Sequence, residues 1–181
     1  MSTPKTRHDE DVIISVERMI RFCYLVKMQS EYSAFATLAL PVHLTRFGML
    51  LVESSSFLYS LFDDRDDSTN LLRLWQGFDH PFSHELQDFS MRLSPLKEKL
   101  KLVRNCLGFH GSLTRSKEGA GLGIFDVDSG RARDFARLVR DSQQLFLRMI
   151  EWYVKGMEES AKPAELWRDL LAELQDRKSV V

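Results

Sequence analysis

The sequence predicts an all-α protein, an antiparallel helical bundle of about five to seven helices. Three observations carry this. Apolar residues recur at helical spacing along nearly every segment. Pro41, Pro81, Pro95 and Pro163 fall between those segments rather than inside them. No alternating apolar–polar stretch argues for a strand. The length of 181 residues fits one domain with a sizeable core. Residues 1–8 are expected to be disordered, and residues 9–181 to form a single helical domain with short connections.

Taken in order, the first helix is expected from about Asp9 to about Leu40, with Ser33 as a candidate break. Val12, Val16, Met19, Ile20, Cys23 and Val26 supply its apolar face. The second runs from about Val42 to Phe62, with Phe47, Leu50, Leu51, Phe57, Leu58 and Leu61 on its apolar side. Asp63-Asp64-Arg65-Asp66-Asp67 then opposes the helix dipole and ends it, and reads as a solvated turn rather than a metal site. Ser68 is a candidate cap for a short helix over about Thr69 to Gly77, which buries Leu71, Leu72, Leu74 and Trp75. Another short helix covers about Ser83 to Met91. Ser94-Pro95 reads as N-cap and first residue of a helix carrying Leu96, Leu100, Val103 and Leu107. Residues 111–129 form a glycine-rich loop, long enough to suggest function or disorder. Ser129 caps a long helix from about Gly130 to Met157, whose apolar face includes Phe135, Leu138, Val139, Leu145, Phe146, Met149, Trp152 and Tyr153. Pro163 opens the last amphipathic helix, with Leu166, Leu170, Leu171 and Leu174.

Composition excludes several classes. The formal net charge is −1, so no overall basicity points to nucleic acid. The charge is unevenly spread, however. Glu53 to Asp88 holds eight acids and two bases, whereas Lys97 to Arg140 holds ten bases and five acids. Two cysteines, Cys23 and Cys106, make no disulfide framework and read as reduced thiols in helices. The polar first residues resemble no signal peptide, and no apolar run reaches the ~18 residues of a membrane span. A cytoplasmic protein, with no membrane partner, is expected.

Familiar motifs can be set aside. Gly119-Ala120-Gly121-Leu122-Gly123 lacks the preceding strand and following Lys-Ser/Thr of a phosphate loop. Asp126 to Gly130 starts like a calcium loop, but Arg137 stands where the bidentate Glu belongs. His80 and His84 have chelating spacing, but Pro81 lies between them and no third ligand stands out, so surface or capping roles are expected. No metal and no cofactor is expected.

One stretch does suggest a chemistry. Arg104-Asn105-Cys106-Leu107-Gly108-Phe109-His110 puts a guanidinium, a carboxamide and an imidazole in seven residues, at a helix end and before the longest turn-rich segment. A guanidinium grips phosphate by paired hydrogen bonds. An imidazole moves protons near neutral pH. On a regular helix, side chains six residues apart stand ~120° apart in rotation and ~9 Å apart along the axis. Either the helix distorts near Gly108, or two chains combine their motifs across a two-fold interface. The plainer reading pairs Arg104 with an acid and leaves His110 to cap the helix.

Arg104, Asn105 and His110 match an Arg, polar residue, four residues, His pattern. In an all-α chain this resembles the HEPN superfamily (higher eukaryotes and prokaryotes nucleotide-binding domains). The resemblance implies a bundle, commonly dimeric, with the motifs facing each other. It also implies metal-independent endoribonuclease activity, of the kind found in toxin–antitoxin and other defence systems, and so an antitoxin protein as a candidate partner. Other members are inactive binding domains. The Tyr that one subgroup carries two residues after the His is Ser112 here. On this reading Arg104 binds the scissile phosphate, His110 is general acid or base, and Asn105 orients one of them. Lys97, Lys101, Arg115 and Lys117 steer the RNA backbone. The alternative is a non-catalytic helical module that binds a nucleotide or a protein partner.

Overall fold

The computed structural model describes residues 10–34, 40–107, 130–156 and 163–175. Among them there is no strand, and the architecture is an all-α bundle. The helices are α1 (Glu10–Ala34), α2 (Leu40–Leu61), α3 (Leu71–Trp75), α4 (Ser83–Leu93), α5 (Lys97–Leu102), α6 (Gly130–Gly156) and α7 (Pro163–Gln175). A 3₁₀ turn, Ser94–Leu96, joins α4 to α5, and a π turn, Val103–Leu107, follows α5. The expected disordered segment 1–8 and the glycine-rich loop lie outside the described residues.

The apolar spacing of α1 does what helical periodicity demands. Val12, Val16, Met19, Ile20, Cys23 and Val26 are all buried, and Phe22 joins them. Glu10 and Asp11 occupy the first turn, where carboxylates complement the dipole. The α2 helix begins at Leu40 and takes in Pro41, which the first turn tolerates because its N–H would be unpaired there in any case. Leu58 and Leu61 reach the core, and Phe57 packs at its edge. The long α6 contributes Leu138, Val139, Leu145, Phe146, Met149, Ile150, Tyr153 and Val154.

Aromatic rings lock these helices together. Phe146 of α6 meets Phe22 of α1 edge-on at 5.3 Å and stacks on Phe62 at 6.4 Å. Phe89 of α4 completes the cluster, 5.4 Å from Phe62 and 6.4 Å from Phe146. Each such pair adds ~0.5–1.5 kcal/mol beyond the area it buries. Two ion pairs, Arg92 with Asp141 at 2.9 Å and Arg148 with Glu85, tie the outer faces of α4 and α6. Cys23 is a free thiol that burial holds well above its usual pKa. The α7 helix closes the end of the bundle through Leu171 and Leu174, and Tyr24 of α1 donates 2.7 Å to Glu173.

Three local expectations change. Asn70, rather than Ser68, caps α3, accepting from the Arg73 amide at 3.2 Å, and the helix is correspondingly shorter. The Ser68 hydroxyl turns back on the Asp63 and Arg65 carbonyls instead. Ser94 makes no cap, because α4 runs through Leu93 and Ser94 in helical conformation straight into the Pro95 turn. His80 is buried rather than at the surface. The Phe82 amide donates to Nδ1 at 3.1 Å, so Nε2 carries the proton and donates to the Trp75 carbonyl at 3.1 Å. The rings of Trp75, Phe82 and Trp152 surround it. On the core side, Trp75 Nε1 donates 3.0 Å to Ser15 of α1. The link between α3 and α4 is thus built around one neutral imidazole.

Two outcomes follow. Phe146→Ala removes a fully buried ring from the center of the aromatic cluster and is expected to cost ~3–5 kcal/mol in urea unfolding. Burial lowers the pKa of His80, partly offset by its bond to the Trp75 carbonyl. A depressed imidazole value means stability is fully present above the unfolded value of about 6.5 and is lost as pH falls through the folded value. The melting temperature of the wild type is expected to fall between about pH 7 and pH 5. His80→Asn, which cannot titrate, is expected to show a shallower fall.

Candidate functional site

Arg104 and Asn105 lie in the π turn, immediately before Gly108. The helix therefore distorts next to the place where a regular helix would have kept the motif's side chains apart. A π turn bonds i to i+5 and so opens the helix by one residue, a geometry often found at functional sites. Leu100 and Val103 are both fully buried and anchor the segment against the bundle. Arg104 and Asn105 follow at the surface, half-buried.

The Arg104 side chain extends toward the end of α2. Its Nη1 lies 3.6 Å from Asp63 Oδ2, and its guanidinium carbon lies 5.5 Å from the center of the Tyr59 ring. The two partners differ sharply in burial. The Asp63 side chain is 5% exposed, whereas that of Arg104 is 39% exposed. The contact is an ion pair too long for a good hydrogen bond. Asp63 has a closer partner in Arg65, which offers its amide to Oδ1 at 3.3 Å and its Nε to Oδ2 at 2.9 Å. The carboxylate is thus shared between two arginines.

Asp63 is the correction to the expectation of a wholly solvated acidic turn. Asp64, Asp66 and Asp67 are exposed, but Asp63 turns inward. Its backbone carbonyl accepts from Asn70 Nδ2 at 3.1 Å and from the Ser68 hydroxyl. A carboxylate is costly to bury without partners, and the side chain finds them in Arg65 and Arg104. The Asp63-x-Arg65 spacing is a local side-chain-to-amide turn, and that pattern was readable in the sequence.

A third arginine, Arg18 of α1, was missed. Its Nη2 donates 2.7 Å to Ser60, and its guanidinium lies 5.3 Å from the Phe57 ring. It lies on α1 between buried positions, so spacing alone cannot tell it from an ordinary surface arginine.

The remaining expected residues divide. Lys97 pairs with Asp64, and Lys101 lies 3.6 Å from Glu98 one helical turn away. Both pairs are at least partly exposed, where such contacts contribute little and exchange readily. His110, Arg115 and Lys117 lie outside the described residues, as does the Gly119–Gly123 segment. Among the described residues no three His, Cys, Asp or Glu side chains gather in a way that could hold a metal ion. No helix among them is long and apolar enough to cross a membrane.

No family model, curated protein or solved structure matches this chain. The chemistry of the site rests on the geometry of its residues.

Asp63→Asn removes the charge that Arg65 and Arg104 share. It is expected to lower stability by ~1–3 kcal/mol in urea unfolding. Asp64→Asn, whose side chain is 77% exposed and keeps an oxygen for its long 3.4 Å bond from Asn70, serves as the control and is expected to stay within ~0.5 kcal/mol of the wild type.

Proposed function

We propose that this chain is a metal-independent endoribonuclease of the HEPN kind, acting as a homodimer. The observation that supports this best is the state of Arg104. It sits on a π turn and leans on one carboxylate and one aromatic ring, with more than a third of its side chain open. A guanidinium so held is oriented but not sealed, and a phosphate oxygen can compete for its free edge.

In the proposed reaction Arg104 binds the scissile phosphate and offsets the charge that develops on its oxygens. His110 takes the proton of the ribose 2′-hydroxyl, or gives one to the departing 5′-oxygen. The 2′-oxygen attacks phosphorus, the bond from phosphorus to the 5′-oxygen breaks, and the products end in a 2′,3′-cyclic phosphate and a 5′-hydroxyl. One imidazole cannot hold both roles at once. Two motifs facing each other across a two-fold axis divide them, which is the reason for the homodimer. Asn105, in the same turn as Arg104, orients the phosphate or His110. A toxin with this activity requires restraint, and an antitoxin protein is the partner that the reading implies.

Asp63 supports a second reading, the non-catalytic module. A carboxylate at 5% exposure paired with Arg104 is also what a structural arginine looks like. The two readings separate by experiment. If the ribonuclease reading holds, Arg104→Ala and His110→Ala each abolish cleavage of a single-stranded RNA, chelator has no effect, and Arg104→Ala shifts the melting temperature little, because Asp63 keeps its closer partner Arg65 and the long contact to the partly exposed Arg104 contributes ~1 kcal/mol or less. If the structural reading holds, Arg104→Ala unfolds early and no RNA is cut by the wild type. A monomer in light scattering at micromolar concentration contradicts the dimer.

A further inference from the structure

His80 and His84, whose spacing suggests chelation, stand at the start of α4 with no metal-holding group of residues among those described. His80 has a different part there. Phe82 is the N-cap of α4 and has no side-chain bond to offer the helix. Its amide donates to His80 Nδ1 at 3.1 Å, and its carbonyl accepts from the Leu86 amide at 2.8 Å. On the other side of the ring, Nε2 donates to the Trp75 carbonyl, which also accepts from the Phe78 amide at 3.1 Å. One neutral imidazole thus joins the last residue of α3 to the head of α4. Trp152 of α6 stands edge-on to it, with 6.2 Å between ring centers.

An imidazolium does not fit this arrangement. Both nitrogens of the charged ring are donors, so Nδ1–H would face the Phe82 N–H, donor against donor. The charge would also stand at the N-terminus of α4, where the helix dipole repels it. The rings of Trp75, Phe82 and Trp152 take the place of water around it. Burial lowers the His80 pKa, and outweighs the opposing effects of the Trp75 carbonyl and of Asp79, exposed and next in the chain. The other charged groups nearby have partners elsewhere. Arg73 of α3 donates to the Ser68 and Arg65 carbonyls. Glu85 of α4 pairs with Arg148, and Glu151 and Lys155, on either side of Trp152, pair with each other at 2.8 Å. His84 lies in the first turn of α4, where a second imidazolium would add to the repulsion.

The rest of the bundle does not depend on this ring. Leu86, Phe89 and Leu93 hold α4 in the core, and the pair Arg92–Asp141 holds its far end. Trp75 keeps its 3.0 Å bond to Ser15 of α1. We propose that His80 is a pH-sensitive latch, and that its protonation undocks residues 77–85 while α1, α2 and α6 stay folded. Undocking bares the faces of Trp75 and Trp152 that His80 and Phe82 cover. A general loss of stability in acid frees all helices together, whereas the latch frees this segment first. The device is independent of the chemistry at Arg104.

Amide hydrogen exchange of the wild type, corrected for its intrinsic pH dependence, tests the latch at about pH 7.5 and about pH 5. At the higher pH the Phe82 and Leu86 amides are expected to be protected. In acid they are expected to lose nearly all protection, while the Phe22 and Phe146 amides stay protected about a hundredfold or more. The midpoint of the loss is expected to match the titration of the His80 ring followed by NMR. His80→Asn does not titrate, and is expected to show the same Phe82 and Leu86 protection at both pH values. His84→Gln is expected to open as the wild type does.

The proposal is overturned if Phe82 and Leu86 stay protected in acid, or if all four amides lose protection together. A pH-dependent loss that persists in His80→Asn, or that vanishes in His84→Gln, overturns it as well. Should His80→Asn not fold, the wild type decides alone, and an opening whose midpoint departs from the His80 titration sinks the latch.

Discussion

The arrangement around the candidate site depends on one buried carboxylate. Asp63 follows the end of α2 by two residues, where an acid opposes the helix dipole. Its charge is held by Arg65 and Arg104, and its backbone carbonyl by Ser68 and Asn70. Asn70 in turn caps α3. The same residue therefore follows the end of one helix, shapes the turn that starts the next, and pairs with the arginine of a π turn 41 residues later in the chain. Such a group is costly to bury alone, and its partners are what make the burial tolerable.

This explains how an arginine can be both fixed and available. Asp63 is satisfied first by Arg65, at hydrogen-bond distance, and only second by Arg104, at a longer one. Tyr59 supplies a flat, weakly attractive face that orients the guanidinium without taking its N–H groups. The π turn sets the side chain at the rim of the bundle, while Leu100 and Val103 just before it stay in the core.

Much of this fold was legible as periodicity. The six α1 residues chosen from spacing alone are all buried, because a helix against a large core has little freedom over which face it turns inward. Helix ends were less legible. Ser68 and Ser94 are good caps by residue type, but the Ser68 hydroxyl turns to the Asp63 and Arg65 carbonyls while Asn70 caps α3, and the chain stays helical through Ser94. At the site, the motif could be read but its support could not. Arg104 and Asn105 are local in sequence, whereas Asp63 and Tyr59 meet Arg104 only through packing of the π turn against the end of α2. The π turn was foreshadowed as a distortion near Gly108, yet its position depends on how the preceding residues pack. His80 shows the same limit: two flanking backbone bonds and three aromatic rings, none evident from its spacing to His84, decide its burial.

The central claim is that Arg104 is held loosely enough by Asp63 to be given up to a phosphate. A double-mutant cycle tests it most directly, with Asp63→Asn, Arg104→Gln and the double variant compared by urea unfolding in phosphate-free buffer. A coupling energy of about 1 kcal/mol or less is expected, because the contact is long, Arg104 is partly exposed and Asp63 keeps the closer Arg65. A coupling of ~3–5 kcal/mol would mark a closed structural pair and contradict the account.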